Sequence, residues 1–221
     1  MEQVAPRPVT HPAKFNANLM PVMARMLAGC QDILDPFAGV GKIFELNRWL
    51  PDARIEAVEI EPEWAVMHPA TIIGNALDLP WEDHHFDAIC TSPAFGNRMA
   101  DVLLLDRYQR NTYANGLGRE LHADSGAKLQ WGEDYRRFHF KAWVEAYRVL
   151  KPGGVFVLNI KDHIRDGKVQ PVTSWHMTCL DAMGFEWMEH VKVMTTGNGF
   201  GANGDKRVPY ESVIKFILRE A

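Results

Sequence analysis

The sequence predicts an α/β fold: a doubly wound, mainly parallel seven-stranded sheet with helices on both faces. Three observations lead there. Short apolar runs alternate with segments of helical periodicity along most of the chain, the pattern of strands joined by helical crossovers. Val155 to Ile160 is a continuous apolar run, as expected of a strand covered on both faces. The first strand-like run ends in the glycine-bearing turn Asp35–Gly41 and opens into helical text, where such sheets place their ligand loops.

Each element has its own signal. Leu19, Val22, Met23 and Met26 are spaced for a helix over Asn18 to Leu27. Ile33-Leu34 is a short strand, and Ile43–Leu50 reads as the helix after the turn. Strands follow at Arg54 to Ile60, Thr71 to Ile73 and Phe86 to Cys90. A helix over Tyr135 to Leu150 stops at the breaker Lys151-Pro152-Gly153-Gly154. Beyond the 155–160 strand come a helix over Pro171–Met183, ended by Gly184, and strands at Trp187–Met194 and Ser212–Leu218. Trp143, Tyr147 and Trp175 lie on helical patterns and are assigned to the core. The segment Gly96 to Gly132 is strand-poor, turn-rich and charged. Connections of that length are as a rule functional or mobile, so it reads as an insertion.

The chain has 221 residues, 47% of them hydrophobic, enough for one domain with a full core over 1–221. Cys30, Cys90 and Cys179 are far apart and form no Cys-x-x-Cys pair, which fits a reducing compartment. Met1 to Phe15 holds no signal-peptide stretch and no run approaches a membrane span. A soluble, cytoplasmic protein with no membrane partner is expected. The formal net charge of −4 is unlike the basic balance of proteins that live on phosphate contacts. A nucleic-acid role then needs a local basic surface. His84-His85 has no Cys or carboxylate ligand pattern around it, so no metal site is expected.

Two pieces form a candidate cofactor site. The glycines of Asp35-Pro36-Phe37-Ala38-Gly39-Val40-Gly41 allow a tight turn and close approach to a ligand. The next strand ends in Val58-Glu59-Ile60-Glu61-Pro62, which places a carboxylate where a ribose diol would sit. Phe44 stands where a dinucleotide fingerprint has its third glycine. The Asp-Pro-Phe-Ala-Gly-x-Gly turn closely resembles motif I of class I S-adenosylmethionine-dependent methyltransferases, especially those acting on DNA amines. The resemblance implies a Rossmann-like methyltransferase fold in which Asp35, Phe37, Gly39 and Gly41 line the cofactor's methionine end and Glu59 binds its ribose hydroxyls. Gly74-Asn75-Ala76 stands where the family usually has Gly-Asp-Ala, which assigns Asn75 and Ala76 to the adenine end. Thr10-His11-Pro12-Ala13-Lys14-Phe15 resembles an element that closes over the cofactor, which implies roles for His11, Lys14 and Phe15 within a strap over 1–17.

Cys90-Thr91-Ser92-Pro93-Ala94-Phe95 follows the fourth strand and resembles the Thr-Ser-Pro-Pro-Tyr/Phe site of DNA amino-methyltransferases, with Ala94 in place of the second proline. An aromatic amine is a poor nucleophile because its lone pair is delocalised into the ring. Acceptors for both N–H groups hold the nitrogen nearer tetrahedral geometry, in line with the methyl group. The resemblance implies that Ser92 supplies Oγ, Pro93 its carbonyl, and Phe95 a face for the extruded base. A site that begins with Ser tilts the expectation toward cytosine N4 over adenine N6.

Basic and aromatic residues in the insertion, among them Arg98, Tyr108, Arg110 and Tyr113, suit phosphate contact and base stacking. Asp101, Asp106, Glu120 and Asp124 share the segment, so a solvated loop is the other reading. Lys161-Asp162-His163 follows a strand at the ligand edge and could touch substrate, and Gly197–Gly204 with Lys206 and Arg207 could be a second substrate loop or a surface hairpin. The expectation is a DNA-base methyltransferase resembling short stand-alone phage or mobile-element members. Its DNA would be a duplex with a flipped base or a single strand, with recognition by residues 96–132, a partner or a second subunit. The alternatives are methyl transfer to a free nucleotide, small molecule or protein, and a cofactor-binding scaffold without turnover.

Overall fold

The computed structural model describes residues 9–12, 15–97, 112–195 and 207–220. Lys14, Arg98, Tyr108, Arg110, Lys206 and the stretch 197–204 lie outside the described residues.

Seven strands form the sheet: β1 (Asp32–Asp35), β2 (Arg54–Glu59), β3 (Thr71–Ile73), β4 (Phe86–Thr91), β5 (Leu150–Ile160), β8 (Phe185–Met194) and β9 (Tyr210–Leu218). A separate two-stranded hairpin, β6 (His163–Arg165) and β7 (Lys168–Gln170), follows β5. The sheet order is β3-β2-β1-β4-β5-β9-β8. The first five are parallel, while β9 is antiparallel to both its neighbours. Strand order reverses between β1 and β4, the switch point where such sheets open a crevice at their carboxyl ends.

Alternation along each strand divides the core in two. Leu34, Val58, Ile89, Phe156, Leu158, Ile214 and Phe216 face one side and pack with α4 (Glu133–Val149) and α5 (Val172–Ala182). Ile33, Ala57, Ala88, Cys90, Val157 and Val213 face the other and pack with α1 (Leu19–Met26). Helix α4 buries Tyr135, His139, Ala142, Trp143, Ala146 and Val149, a stripe at helical spacing. Tyr147, expected in the core, is 43% exposed on the opposite side of that helix.

Two elements differ from expectation. The helix after the first turn is a 3₁₀ helix, Lys42–Arg48. Pro152-Gly153-Gly154 does not end a helix in a loop. The helix stops at Val149, and these residues lie within β5, where the register with β4 shifts between Phe86 and Ala88 and Gly153 takes φ +73°. Glycine permits that bulge without loss of the strand. The described part of the insertion is folded: α3 (Tyr113–Leu117) buries Tyr113, Ala114 and Leu117, and Leu121 joins them. No helix among the described residues is long and apolar enough to cross a membrane.

Candidate active site

A cavity of about 930 Å³ opens at the carboxyl ends of β1, β2, β4 and β5. Its lining includes His11, Phe15, Asp35, Phe37, Gly39, Glu59, Asn75, Ala76, Ser92, Pro93, Phe95 and Tyr113. The structure therefore brings the two sequence motifs, the strap and the insertion onto one wall system.

On the cofactor side, Asp35 ends β1 with its carboxylate buried, and Oδ1 accepts from Phe37 N at 3.0 Å and Thr91 Oγ1 at 2.7 Å. Burial pushes this carboxyl up to about 6, partly offset by those two donors. Glu59 ends β2. Its Oε2 accepts from Gly39 N at 2.8 Å and its Oε1 from Glu61 N at 2.9 Å, so it fastens the turn to the neighbouring strand. Burial raises the Glu59 carboxyl to about 7. Gly39 takes φ +54°, and a side chain there would meet His11 Nε2 at 3.2 Å. Gly41 is needed for a different reason. It packs away from the cavity lining, at φ +77°, where a Cβ would come within 2.6 Å of His68 Cβ. His68 in turn stacks on Phe44 at 3.7 Å. Phe44, in place of a third glycine, thus packs the loop from behind.

The strap rests on the insertion. Thr10 N donates to Gly116 O at 2.9 Å, and Trp64 Nε1 donates to Thr10 O at 3.3 Å. His11 lies edge-on to Trp64 and Tyr113, with ring centroids 4.6 and 5.5 Å away. Tyr113, expected among substrate contacts, thus sits on the Glu59 side. Burial, with the Glu59 charge second, pushes its phenol up to about 12. Arg119, a basic residue of the insertion, grips α2 (Pro62–Ala65) and its start. It pairs with Glu63 at 2.5 Å and with the buried Glu61 at 2.9 Å. Asn75 Oδ1 accepts from Leu77 N at 3.0 Å, and its Nδ2 donates to Asp124 Oδ2 at 3.4 Å. Asp124 lines the cavity beside it, so the charge that Asn75 lacks arrives from the insertion.

On the acceptor side, Ser92 Oγ accepts from Asn159 Nδ2 at 3.0 Å, and the same nitrogen donates to Glu211 Oε2 at 2.8 Å. Asn159 and Glu211 both line the cavity, and neither was singled out from the sequence. Asn159 was the one available signal: it is the lone polar residue in the apolar 155–160 run. Lys161, Asp162 and His163 do not line the cavity. Asp162 Oδ1 instead accepts from Thr173 N at 2.7 Å in the first turn of α5, and Lys161 Nζ donates to Thr195 Oγ1 at 3.0 Å.

The turn at Ala94 is held without its second proline. Trp143 Nε1 donates to His176 Nδ1 at 3.1 Å, which leaves the imidazole proton on Nε2. That nitrogen lies 3.0 Å from Tyr135 Oη and donates to it, and Tyr135 O–H donates to Ala94 O at 3.1 Å. Burial holds His176 well below the ordinary imidazole range, so it stays neutral. Trp131 N donates to Gly96 O at 2.9 Å just beyond, and Gly96, at φ +67°, has no room for a side chain.

No protein-family model and no curated protein matches the chain. Solved structures do. The [4+2]-cyclase SpnF aligns at 13% identity over 92% of this chain and 81% of that one, with TM-score 0.59. A SAM-dependent methyltransferase from Methanosarcina mazei aligns at 15% identity over 90% and 98%, with TM-score 0.57. The 1,6-didemethyltoxoflavin-N1-methyltransferase of Burkholderia thailandensis, solved with S-adenosylhomocysteine, aligns at 14% identity over 92% and 78%, with TM-score 0.53. A cyclase among them illustrates that this fold hosts several chemistries. Strand order, the reversed last strand and these likenesses together give the chain the Rossmann-like fold of class I S-adenosylmethionine-dependent methyltransferases.

Proposed function

We propose that the chain is an S-adenosylmethionine-dependent methyltransferase that acts on the exocyclic amine of a DNA base, with cytosine N4 favoured. One observation carries the proposal: the Ser92-Pro93-Ala94-Phe95 turn and the Asp35–Gly39 loop line the same cavity. The residues fit the cofactor. Each Glu59 oxygen accepts one backbone N–H and keeps lone-pair capacity for one of two vicinal hydroxyls. Among the described residues, four acidic side chains (Asp35, Glu59, Asp124 and Glu211) and one lysine, Lys42, line the cavity, a balance that favours a cationic ligand. His11, Phe15, Phe37 and Gly39 would hold it from the strap and the turn, with Asn75 and Asp124 at its far end. Bound there, the cofactor supplies an electrophilic methyl group.

The chain's own residues then hold the acceptor. Ser92 Oγ accepts from the amine, Phe95 offers a ring face, and the rigid turn fixes the distance between them. The DNA would be single-stranded or carry a flipped base, with recognition by the insertion, a partner or a second subunit. Purified protein with S-adenosylmethionine and unmethylated DNA should yield N4-methylcytosine or N6-methyladenine by nucleoside mass spectrometry. Ser92→Ala should lower the rate by about 10²-fold, the scale of losing one positioned polar contact in an active site.

The acidic lining favours a second reading, a small-molecule acceptor without phosphates, because phosphates are repelled by carboxylates. Cytidine and adenosine assayed beside DNA separate the two. Product from the nucleosides alone would replace the DNA reading, and tight cofactor binding with no product anywhere would leave a scaffold.

A further inference from the structure

We propose that Glu211 is a catalytic residue: in place of the Pro93 carbonyl, it forms with Ser92 the acceptor pair for the substrate –NH₂ group, and it takes the proton that methylation releases. The inference rests on the amine-methylation reading above. Three strand ends meet at this point. Ser92 follows β4, Asn159 lies near the end of β5, and Glu211 is the second residue of β9. Because β9 runs antiparallel to β5, its first residues come to the edge where β4 and β5 finish.

The Asn159 amide already shows what this pair can hold. One planar –NH₂ group bridges Ser92 Oγ and Glu211 Oε2, at 3.0 and 2.8 Å. The reverse orientation of the amide would set its oxygen against a carboxylate, so the two acceptors dictate it. An exocyclic amine on an aromatic ring presents the same planar pair of N–H donors. The serine hydroxyl has two lone pairs and the carboxylate about four, so both can take a second donor while Asn159 stays in place. Asn159 is 1% exposed, and its Oδ1 has no hydrogen-bond partner among the described residues. Its amide is therefore tied only through its donors, and it acts as the positioning residue between the two acceptors.

Charge decides what Glu211 adds beyond Ser92. The amine lone pair forms the new N–C bond while the bond from that carbon to the sulfonium sulfur breaks, and its electron pair stays on sulfur. Positive charge thus moves onto nitrogen. A carboxylate in contact with that nitrogen stabilises the developing charge. The extra N–H proton then passes to the Glu211 carboxylate and from it to water, leaving a neutral methylamine. A hydroxyl or a backbone carbonyl can accept the hydrogen bond but cannot keep the proton.

The test compares wild type, Glu211→Gln and Glu211→Asp with a cytosine-containing single-stranded oligodeoxynucleotide, cytidine and adenosine. Glutamine still accepts from Asn159 but carries no charge. Single-turnover methyl transfer should fall by about 10²-fold in Glu211→Gln, the scale of a general base. Affinity for S-adenosylhomocysteine, measured by calorimetry, and Tm should match wild type. Glu211→Asp, which keeps the charge, should recover part of the rate. A Glu211→Gln rate equal to wild type, or equal losses in both variants, overturns the role of Glu211 alone. A wild type silent on every amine overturns the methylation reading and this inference with it.

Discussion

Glu59 shows at the scale of one residue how the cavity stores a ligand's requirements. Its carboxylate is buried, raised to about 7, and already bonded to two backbone N–H groups. The raised value means that the folded chain holds a proton which the unfolded chain has lost. This costs stability progressively as pH rises from the ordinary glutamate range to about 7, and the cost is complete above it. Hydroxyl donors from a ligand favour the ionised form, so ligand binding lowers the value again and expels a proton. Cofactor affinity should therefore rise with pH up to about 7, by at most about tenfold per unit for one proton, and level off above. Calorimetry in buffers of different ionisation heat should show proton release near pH 6. Glu59→Gln should bind more weakly and lose that dependence. An affinity unchanged from pH 5.5 to 8 would contradict this account of Glu59.

The turn after β4 and helix α4 belong together as elements. A second proline would restrict both its own φ and the residue before it; here Tyr135 in α4 does the restraining through its bond to the Ala94 carbonyl. Tyr135→Phe removes that donor and leaves the His176 Nε2–H without its acceptor in the core. It should cost about 1–3 kcal/mol of stability, the usual penalty for a stranded buried donor, and should lower the methyl-transfer rate with little change in cofactor affinity. Ala94→Pro should change little in the wild type and recover rate in Tyr135→Phe. Recovery of rate without recovery of Tm would separate the holding of the turn from general packing. If the proline helps neither background, the turn does not depend on Tyr135.

Across the whole molecule, the cavity is assembled from segments far apart in the chain, and one glycine joins two of them. Gly116 in α3 receives the strap through its carbonyl, and a Cβ there would stand 2.3 Å from Thr10 O. Backbone cannot yield cheaply at that distance, so Gly116→Ala should lift the 9–12 segment off α3. Cofactor affinity should fall clearly while Tm changes little, because the sheet and the large cores on its two faces lie elsewhere, and only the small Trp64–Tyr113–Leu117–Leu121 cluster borders Gly116. Equal affinity in Gly116→Ala and wild type would mean that the strap does not cover the cofactor.

The sequence by itself determined the seven strands of the main sheet, their burial on two faces, the Asp35–Gly41 turn and the position of Ser92 to Phe95 after a strand, but not the β6–β7 hairpin. These are local matters, written in apolar periodicity and in residues that fix their own φ. It also marked Glu59, because a strand of known length ends there. It could not reveal that Gly41 answers to His68, that Arg119 is spent on Glu61 and Glu63, or that Asp124 stands beside Asn75. Nor could it bring Glu211 to Ser92. Those pairings depend on strand order and on the reversed direction of β9. Hydrogen bonds between residues far apart in sequence leave no periodic trace, so only the tertiary structure decides them.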